Sequence, residues 1–240
     1  MVGKTNSKLW LIIQKINLKF CIFVCMHNTL KNELFNIISG KSEISNGTII
    51  QTITCYLRDC KNTSSNAENE KHFKEQEKKR LIEFINLNNL WLENIDFSQY
   101  ISEGAEQRVF LKNGEHVLKL NDGIYYNCWR DYLINLLLHN FFFPDTAYNL
   151  LGFTNEDNVL YAVVEQNFVT VTSTTNLELV KEFLKSNGFI NNRNNDYINT
   201  ELGIIIEDLH DENVLTKNDV LYFIDTVFYI TDSFWNKFTF

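Results

Sequence analysis

Residues 204–215 read "IIIEDLHDENVL", a β-branched run that delivers Glu207, Asp208, His210, Asp211 and Glu212 within six residues. A short run such as Ile204–Ile206 predicts a buried strand. Carboxylates are costly to take out of water unless they are hydrogen-bonded, paired or bound to a cation. The stretch is therefore either a solvated loop or a site. Asn213 stands five residues after Asp208, and Asp225 twelve after Asn213 in the apolar stretch "LYFIDTVFYI". An acid at the end of a buried strand can accept a hydrogen bond from a hydroxyl. Asn213 and Asp225 supply oxygens for Mg2+, which takes few protein ligands and completes its shell with phosphate. Upstream, Lys119 in "HVLKL" offers a point charge for phosphates. The glycine of "SEGAEQRV", Gly104, sits in a turn whose backbone N–H groups can reach phosphate oxygens.

These residues need elements to place them. Val109–Leu111 and His116–Leu120 read as the strands of a hairpin turned at Asn113-Gly114, and an earlier strand ends before Gly104. The segment around Trp129, Leu133, Leu136, Leu137 and Asn140 follows a helical period and stops near Pro144. Asn149–Phe153 and Val159–Val164 form a second hairpin around "TNEDN". "NLELVKEFLKSNGF" is a short amphipathic helix ended by Asn187-Gly188. The run "NDVLYFIDTVFYI" reads as one further strand interrupted by Asp225. Before Tyr100, residues 61–80 read as a polar linker that becomes helical near Phe73. Leu81, Ile82, Phe84, Ile85 and Leu87 form its apolar face, and Asn86, Asn88 and Asn89 end it. No motif stands out in residues 1–60.

With 240 residues, 45% hydrophobic content and 19 Phe, the chain has ample material for a folded core. A net charge of −8 argues against duplex nucleic acid as a partner. The apolar segment Leu9–Met26 is broken by Lys15 and Lys19, so a core element is expected there and no membrane partner. Cysteines at 21, 25, 55, 60 and 128 follow no disulfide framework, which implies reduced thiols and a cytoplasmic setting.

Glycine turn, strand lysine, D-L-x-x-x-N loop and a following strand aspartate appear in the order and near the spacing of the protein-kinase signature. Taken singly, each has an ordinary reading. "SEGAEQ" is a β-turn, Lys119 a strand-edge lysine, "EDLHDEN" a solvated turn and Asp225 a hydrogen-bonded turn acid. Their shared order sets the combination apart.

The blocks "ISEGAEQRVFLKNGEHVLKL", "LLLHNFFFPDTAYNLLGFT", "LYAVVEQNFV" and "GIIIEDLHDENVL…VLYFIDTVFYI" also resemble the kinase-like domain of polyvalent proteins, multidomain proteins of phages and conjugative elements. The resemblance covers about residues 80–232 and leaves residues 1–75 aside. It implies an α+β fold, a minimal two-lobed kinase with an antiparallel N-lobe sheet plus helix and a reduced C-lobe. Residues 1–75 then form an N-terminal extension and 76–240 the kinase-like domain, with an N-lobe of about 98–166 and a C-lobe of about 167–240. It implies ATP and Mg2+, with a nucleotide and a protein or small-molecule hydroxyl acceptor as partners. Position by position, it makes Lys119 the phosphate lysine, Asp208 the catalytic base, and Asn213 and Asp225 the metal ligands. Gly104, Ala105 and Val109 cover the nucleotide, and Glu165 and Gln166 meet adenine through backbone groups.

The sequence departs from typical protein kinases in several places. Ile206 stands where the H-R-D form has histidine, Thr226-Val227 follows Asp225, and the turn has one glycine. Asp131 is the nearest acid to serve as ion-pair partner for Lys119. The 15 residues after Asp225 leave no room for a long activation segment or peptide-docking helices. "DLH" is similar to the loop of aminoglycoside and choline kinases, which keeps a small-molecule acceptor open. A nucleotide-binding pseudokinase and a metal hydrolase built on Glu207, Asp208, His210 and Asp211 are the other readings.

Overall fold

The hairpin turned at Asn113-Gly114 forms where its turn residues demand it. Asn113 Oδ1 accepts the N–H groups of Glu115 and His116 at 2.9 and 2.8 Å, which folds the chain back on itself. The structure is a computed structural model that describes residues 27–58, 67–93, 95–96, 98–104 and 107–238. Ala105, Cys21, Cys25, Cys60 and the apolar segment Leu9–Met26 lie outside the described residues. The fold is mixed α+β with antiparallel sheets, and six α-helices occur among the described residues. The chain divides into two compact units: Asn36–Phe168, and the described residues up to Phe35 together with those from Val169.

In Asn36–Phe168 the centre is a five-stranded antiparallel sheet. Its strands are β1 (Tyr100–Glu103), β2 (Gln107–Leu111), β3 (His116–Asn121), β4 (Asn149–Glu156) and β5 (Val159–Asn167), ordered β1-β2-β3-β5-β4. Both expected hairpins are present. The second is tighter than "TNEDN" implied, because Asp157 and Asn158 alone take the left-handed conformation, with φ of 49° and 67°. Two such residues make the turn that matches strand twist. Leu118 and Leu120 of central β3 join Phe110 and Val163 in a core on one face of the sheet. Alternation along the strand puts Lys119 on the other face.

α1 (His27–Ile38) is followed in this unit by α2 (Thr48–Leu57), α3 (Ala67–Leu87) and α4 (Trp129–Phe142). The sequence pattern gives α4 one apolar face, but it is buried on nearly every side, including Asn135, His139 and Asn140. The reason is that α2 and α3 also pack against it. α2 buries Ile50, Ile53 and Leu57, from a region without any recognisable motif. On α3, Glu77, Leu81 and Ile85 are buried, one residue every fourth position, whereas Leu87 is exposed. Leu87 therefore leaves the expected apolar face, although the helix does end at the asparagines, with Asn89 left-handed at φ 53°.

Side chains of α3 complete the start of α4. Cys128 at its N-cap makes no capping bond, and Glu77 accepts N–H groups from Trp129 at 2.6 Å and Arg130 at 3.3 Å. Lys74 donates to the carbonyls of Gly123, Ile124 and Tyr126 in the loop just before. Burial raises the Glu77 carboxyl above its usual range, opposed by these backbone hydrogen bonds. At the far end of the sheet, Gly152 has φ 156° and a Cβ there would lie 2.4 Å from the carbonyl oxygen of Leu90. Only glycine permits that approach, which lets Leu90 and Leu92 bond to Phe153.

The other unit holds a four-stranded antiparallel sheet of β6 (Ile190–Arg193), β7 (Asp196–Asn199), β8 (Ile204–Glu207) and β11 (Val227–Ile230), ordered β11-β8-β7-β6. A separate hairpin joins β9 (Val214–Lys217) to β10 (Val220–Phe223). α5 (Leu177–Ser186) starts at Asn176, whose side chain accepts the Glu178 N–H, and stops before Gly188 at φ 78°. α6 (Asp232–Trp235) follows β11. The single strand expected over Val220–Ile230 is instead two strands in two sheets. The break comes at Ile224–Thr226, where Ile224 N–H bonds to the carbonyl of Asn213 at 2.9 Å. Among the described residues no helix is long and apolar enough to cross a membrane.

Candidate functional site

β8 is buried at Ile204 and Ile206 and pairs on one side with β7 and on the other with β11. Its end delivers Asp208, which takes a left-handed φ of 65°. That conformation is uncommon for a residue with a side chain, though least costly for Asp and Asn. It is held from several sides. Asp208 N–H bonds to Asp196 Oδ1 at 3.2 Å, and its carbonyl accepts the N–H of His210 at 3.0 Å and Asn213 Nδ2 at 2.9 Å.

The side chains close the same loop. Asn213 Nδ2 also donates to Asp208 Oδ2 at 2.8 Å, and His210 Nε2 lies 3.2 Å from Asp208 Oδ1. The Asp208 side chain is still 56% exposed, so its carboxylate is anchored and open to an incoming group. Because Asn213 turns its NH2 end to two Asp208 oxygens, its carbonyl oxygen Oδ1 is the end left over, and it accepts no hydrogen bond among the described residues. The main-chain bond from Ile224 to Asn213 ties down the residue just before half-buried Asp225. An amide oxygen and a carboxylate on joined segments fit the oxygen-rich donor set of a hard divalent cation.

Asp211 and Glu212 are exposed, as expected for loop residues. Glu207 is half-buried, and burial, then the charges of Asp196 and Asp208, raise its carboxyl above the usual range. Among the described residues no group of three His, Cys, Asp or Glu side chains is placed to hold a metal ion. Glu207, Asp208, His210 and Asp211 therefore do not form the cluster a metal hydrolase would need.

In Asn36–Phe168, Lys119 is 2% exposed and lies in register between Val109 of β2 and Val164 of β5. Its ammonium stands 5.4 Å from the centre of the Tyr148 ring. Tyr148 is fixed by Asn140 of α4, which accepts its N–H at 2.7 Å and donates to its carbonyl at 2.8 Å. Buried His139 and Gln166 both donate to the Thr146 carbonyl, at 2.9 and 2.7 Å. Desolvation pushes His139 down to about 3, with the charge of Lys119 acting in the same direction. The Gln166 side chain thus faces the interior, and Glu165 pairs with Lys112 at 2.7 Å. Gly104 N–H closes the β1–β2 turn on Gln107 O at 2.9 Å, and a Cβ there would meet only that same oxygen, at 4.0 Å.

Asp131 is a correction to expectation. Its neighbours are Cys128, Asn127 and Arg130, and burial raises its carboxyl, so it is committed at the start of α4. Asp196, Asn140, His139 and Tyr148 escaped sequence reasoning. Asp196 alone carried a signal, as an acid beside a two-asparagine turn, and nothing in the pattern linked it to Asp208.

A buried lysine in the central strand of an antiparallel sheet, a glycine turn at its edge strand, and an Asp–Asn loop after a buried strand define a kinase-like α+β domain. A family model, Serine/Threonine/Tyrosine Kinase found in polyvalent proteins, matches residues 74–232, more than half of the chain. The chain belongs to that family, whose general chemistry is phosphoryl transfer. No curated protein and no solved structure matches it.

Proposed function

We propose that the chain transfers the terminal phosphoryl group of ATP to a hydroxyl acceptor, a protein serine, threonine or tyrosine. The observation that carries this reading is the Asp208–Asn213 pair. One nitrogen of Asn213 anchors Asp208, which leaves the amide oxygen as the end that would meet a cation. Asn36–Phe168 acts as the nucleotide-binding lobe and the unit from Val169 as a reduced catalytic lobe. Gly104, Ala105 and Val109 cover the nucleotide, and Lys119 holds its phosphates. β4 begins at Asn149 opposite Glu165, so β4 no longer covers that edge of β5 from Gln166 onward, which supports adenine binding there through backbone groups.

Asp208 orients the acceptor hydroxyl and takes its proton as the oxygen attacks the terminal phosphorus. The bond from that phosphorus to the bridging oxygen breaks, and ADP leaves. Asn213 and Asp225 would hold Mg2+, which supplies charge neutralisation at the phosphate oxygens. The protein's own contribution is positioning and electrostatics. A small-molecule hydroxyl is the second reading, favoured by the Asp208-Leu209-His210 order and the contact of His210 with Asp208.

The test is incubation with terminally labelled ATP and Mg2+, with wild type and Asp208→Asn. The proposal expects label on protein with wild type only. Label on an added small alcohol supports the second reading. Nucleotide binding without transfer by wild type identifies a pseudokinase and defeats the proposal.

A further inference from the structure

We infer that Tyr148 is the positioning residue for Lys119: its ring, clamped by α4, holds the lysine ammonium at its face, so that the charge is in place before the phosphates arrive. The inference rests on the reading of Lys119 as the phosphate lysine, and it concerns a residue to which that reading gives no role.

Lysine is a compact charge on a flexible stem, so a place in a strand does not by itself fix where the ammonium lies. β3 fixes only the root of the Lys119 side chain, in register between Val109 and Val164. The far end meets Tyr148, with Nζ over the ring and 5.4 Å from its centre. The face of an aromatic ring is negative, and a cation within about 6 Å of the centroid is attracted to it. Both residues are buried, and the attraction is stronger where water is excluded.

A ring can steer a charge only if it is itself held. Tyr148 immediately precedes β4, and two adjacent residues of α4 grip it. Asn140 takes both backbone polar groups of Tyr148, accepting its N–H at 2.7 Å and donating to its carbonyl at 2.8 Å. The ring of His139 packs against the Tyr148 ring, 4.5 Å between centres. His139 is tied in turn to the Thr146 carbonyl, which Gln166 of β5 also binds. Burial keeps His139 neutral, pushed down to about 3, so it brings no second positive charge to the face of the ring. The contacts therefore run from α4 through Tyr148 to the ammonium. An ammonium without the ring must be ordered by the phosphates themselves, and that ordering is taken out of the binding free energy.

The experiment separates the negative face of the ring from its bulk. Position 148 is filled in turn by Tyr148→Phe, by a trifluorinated phenylalanine, and by Tyr148→Leu. Fluorine draws electrons off the face of the ring and leaves its shape nearly unchanged. Affinity for a non-hydrolysable ATP analogue with Mg2+ is read by calorimetry. Tyr148→Phe is expected to keep most of the affinity that Tyr148→Leu loses, and the trifluorinated ring to bind the analogue about tenfold more weakly than the phenylalanine ring. In a Lys119→Met background the two rings bind it alike. Equal affinity of the two rings with Lys119 present, or the same difference with Lys119 absent, overturns the positioning role.

A second measurement needs no nucleotide. In wild type labelled with 13C at the lysine ε-carbons, the Lys119 ε-CH2 protons are assigned by their loss in Lys119→Met. They are expected upfield of their position in the unfolded chain, because the ring current shields groups over the face. An unshifted resonance overturns the inference whether or not the protein binds ATP. If Lys119→Met itself binds the analogue and turns over ATP as wild type does, the reading of Lys119 falls and takes this role with it. A weakened Lys119→Met beside two rings of equal affinity removes this role alone.

Discussion

Asn213 binds Asp208 twice through a single nitrogen: Nδ2 donates to Asp208 Oδ2 at 2.8 Å and to the Asp208 carbonyl at 2.9 Å. One side chain thereby holds both the backbone turn and the carboxylate of the candidate base, and its own carbonyl oxygen is the end left over.

Replacing Asn213 by Ala should therefore remove anchor and ligand together. We expect the turnover of ATP to fall by at least about a hundredfold. The melting temperature should change little, because the contacts lie in an exposed loop. A variant that keeps wild-type turnover contradicts the assignment. Steady-state kinetics and a thermal melt suffice.

Lys119 is buried at 2% exposure, with its ammonium 5.4 Å from the centre of the Tyr148 ring, and replacing a buried charge by an apolar side chain of similar volume is often neutral or stabilising. Lys119→Met keeps the length of the side chain and removes the charge. Its melting temperature is expected to equal or exceed that of wild type, while ATP turnover is lost. A stable variant with unchanged turnover would show that the charge does not serve phosphate.

His139 is buried and neutral, pushed down to about 3 mainly by desolvation. An unfolded chain protonates the same ring near 6.5. The unfolded state thus binds the extra proton as pH falls below 6.5, and stability present above that value is lost progressively toward about 3. Between pH 6.5 and 5 the loss amounts to about 2 kcal/mol, at about 1.4 kcal/mol per pH unit. His139→Gln should flatten this slope even though it lowers stability at neutral pH. Denaturant titrations at both ends of the window check it, and equal slopes refute it.

Glu77 caps α4 from α3 through the N–H groups of Trp129 and Arg130. Loss of a cap costs about 0.5–2 kcal/mol. Glu77→Ala is expected at or above the top of that range because it also leaves a cavity, and Glu77→Gln should cost less, since it retains an acceptor. Urea denaturation distinguishes them, and equal stability of all three proteins would mean the cap is dispensable.

The parts of the fold legible in the sequence were those governed by neighbours in the chain. Ile204–Ile206 announced β8, Asn113-Gly114 the first hairpin, and Gly188 the end of α5. What escaped was set by contacts between distant segments. α4 reads as one-sided because its other cover, α2, comes from residues with no motif of their own. Val220–Ile230 reads as a single strand because nothing in an apolar run shows that Ile224 will bond to Asn213. The candidate site was legible as residue types and spacing at Asp208 and Asn213. The setting of Lys119 was not, because Tyr148 is placed by the pairing of Asn140 with the chain after Pro144.

The most direct measurement is transfer of label from terminally labelled ATP by wild type and Asp225→Ala, each with Mg2+ and with chelator. Transfer that requires Mg2+ in wild type and vanishes in Asp225→Ala is the predicted result. Labelling by Asp225→Ala at the wild-type rate would contradict the account.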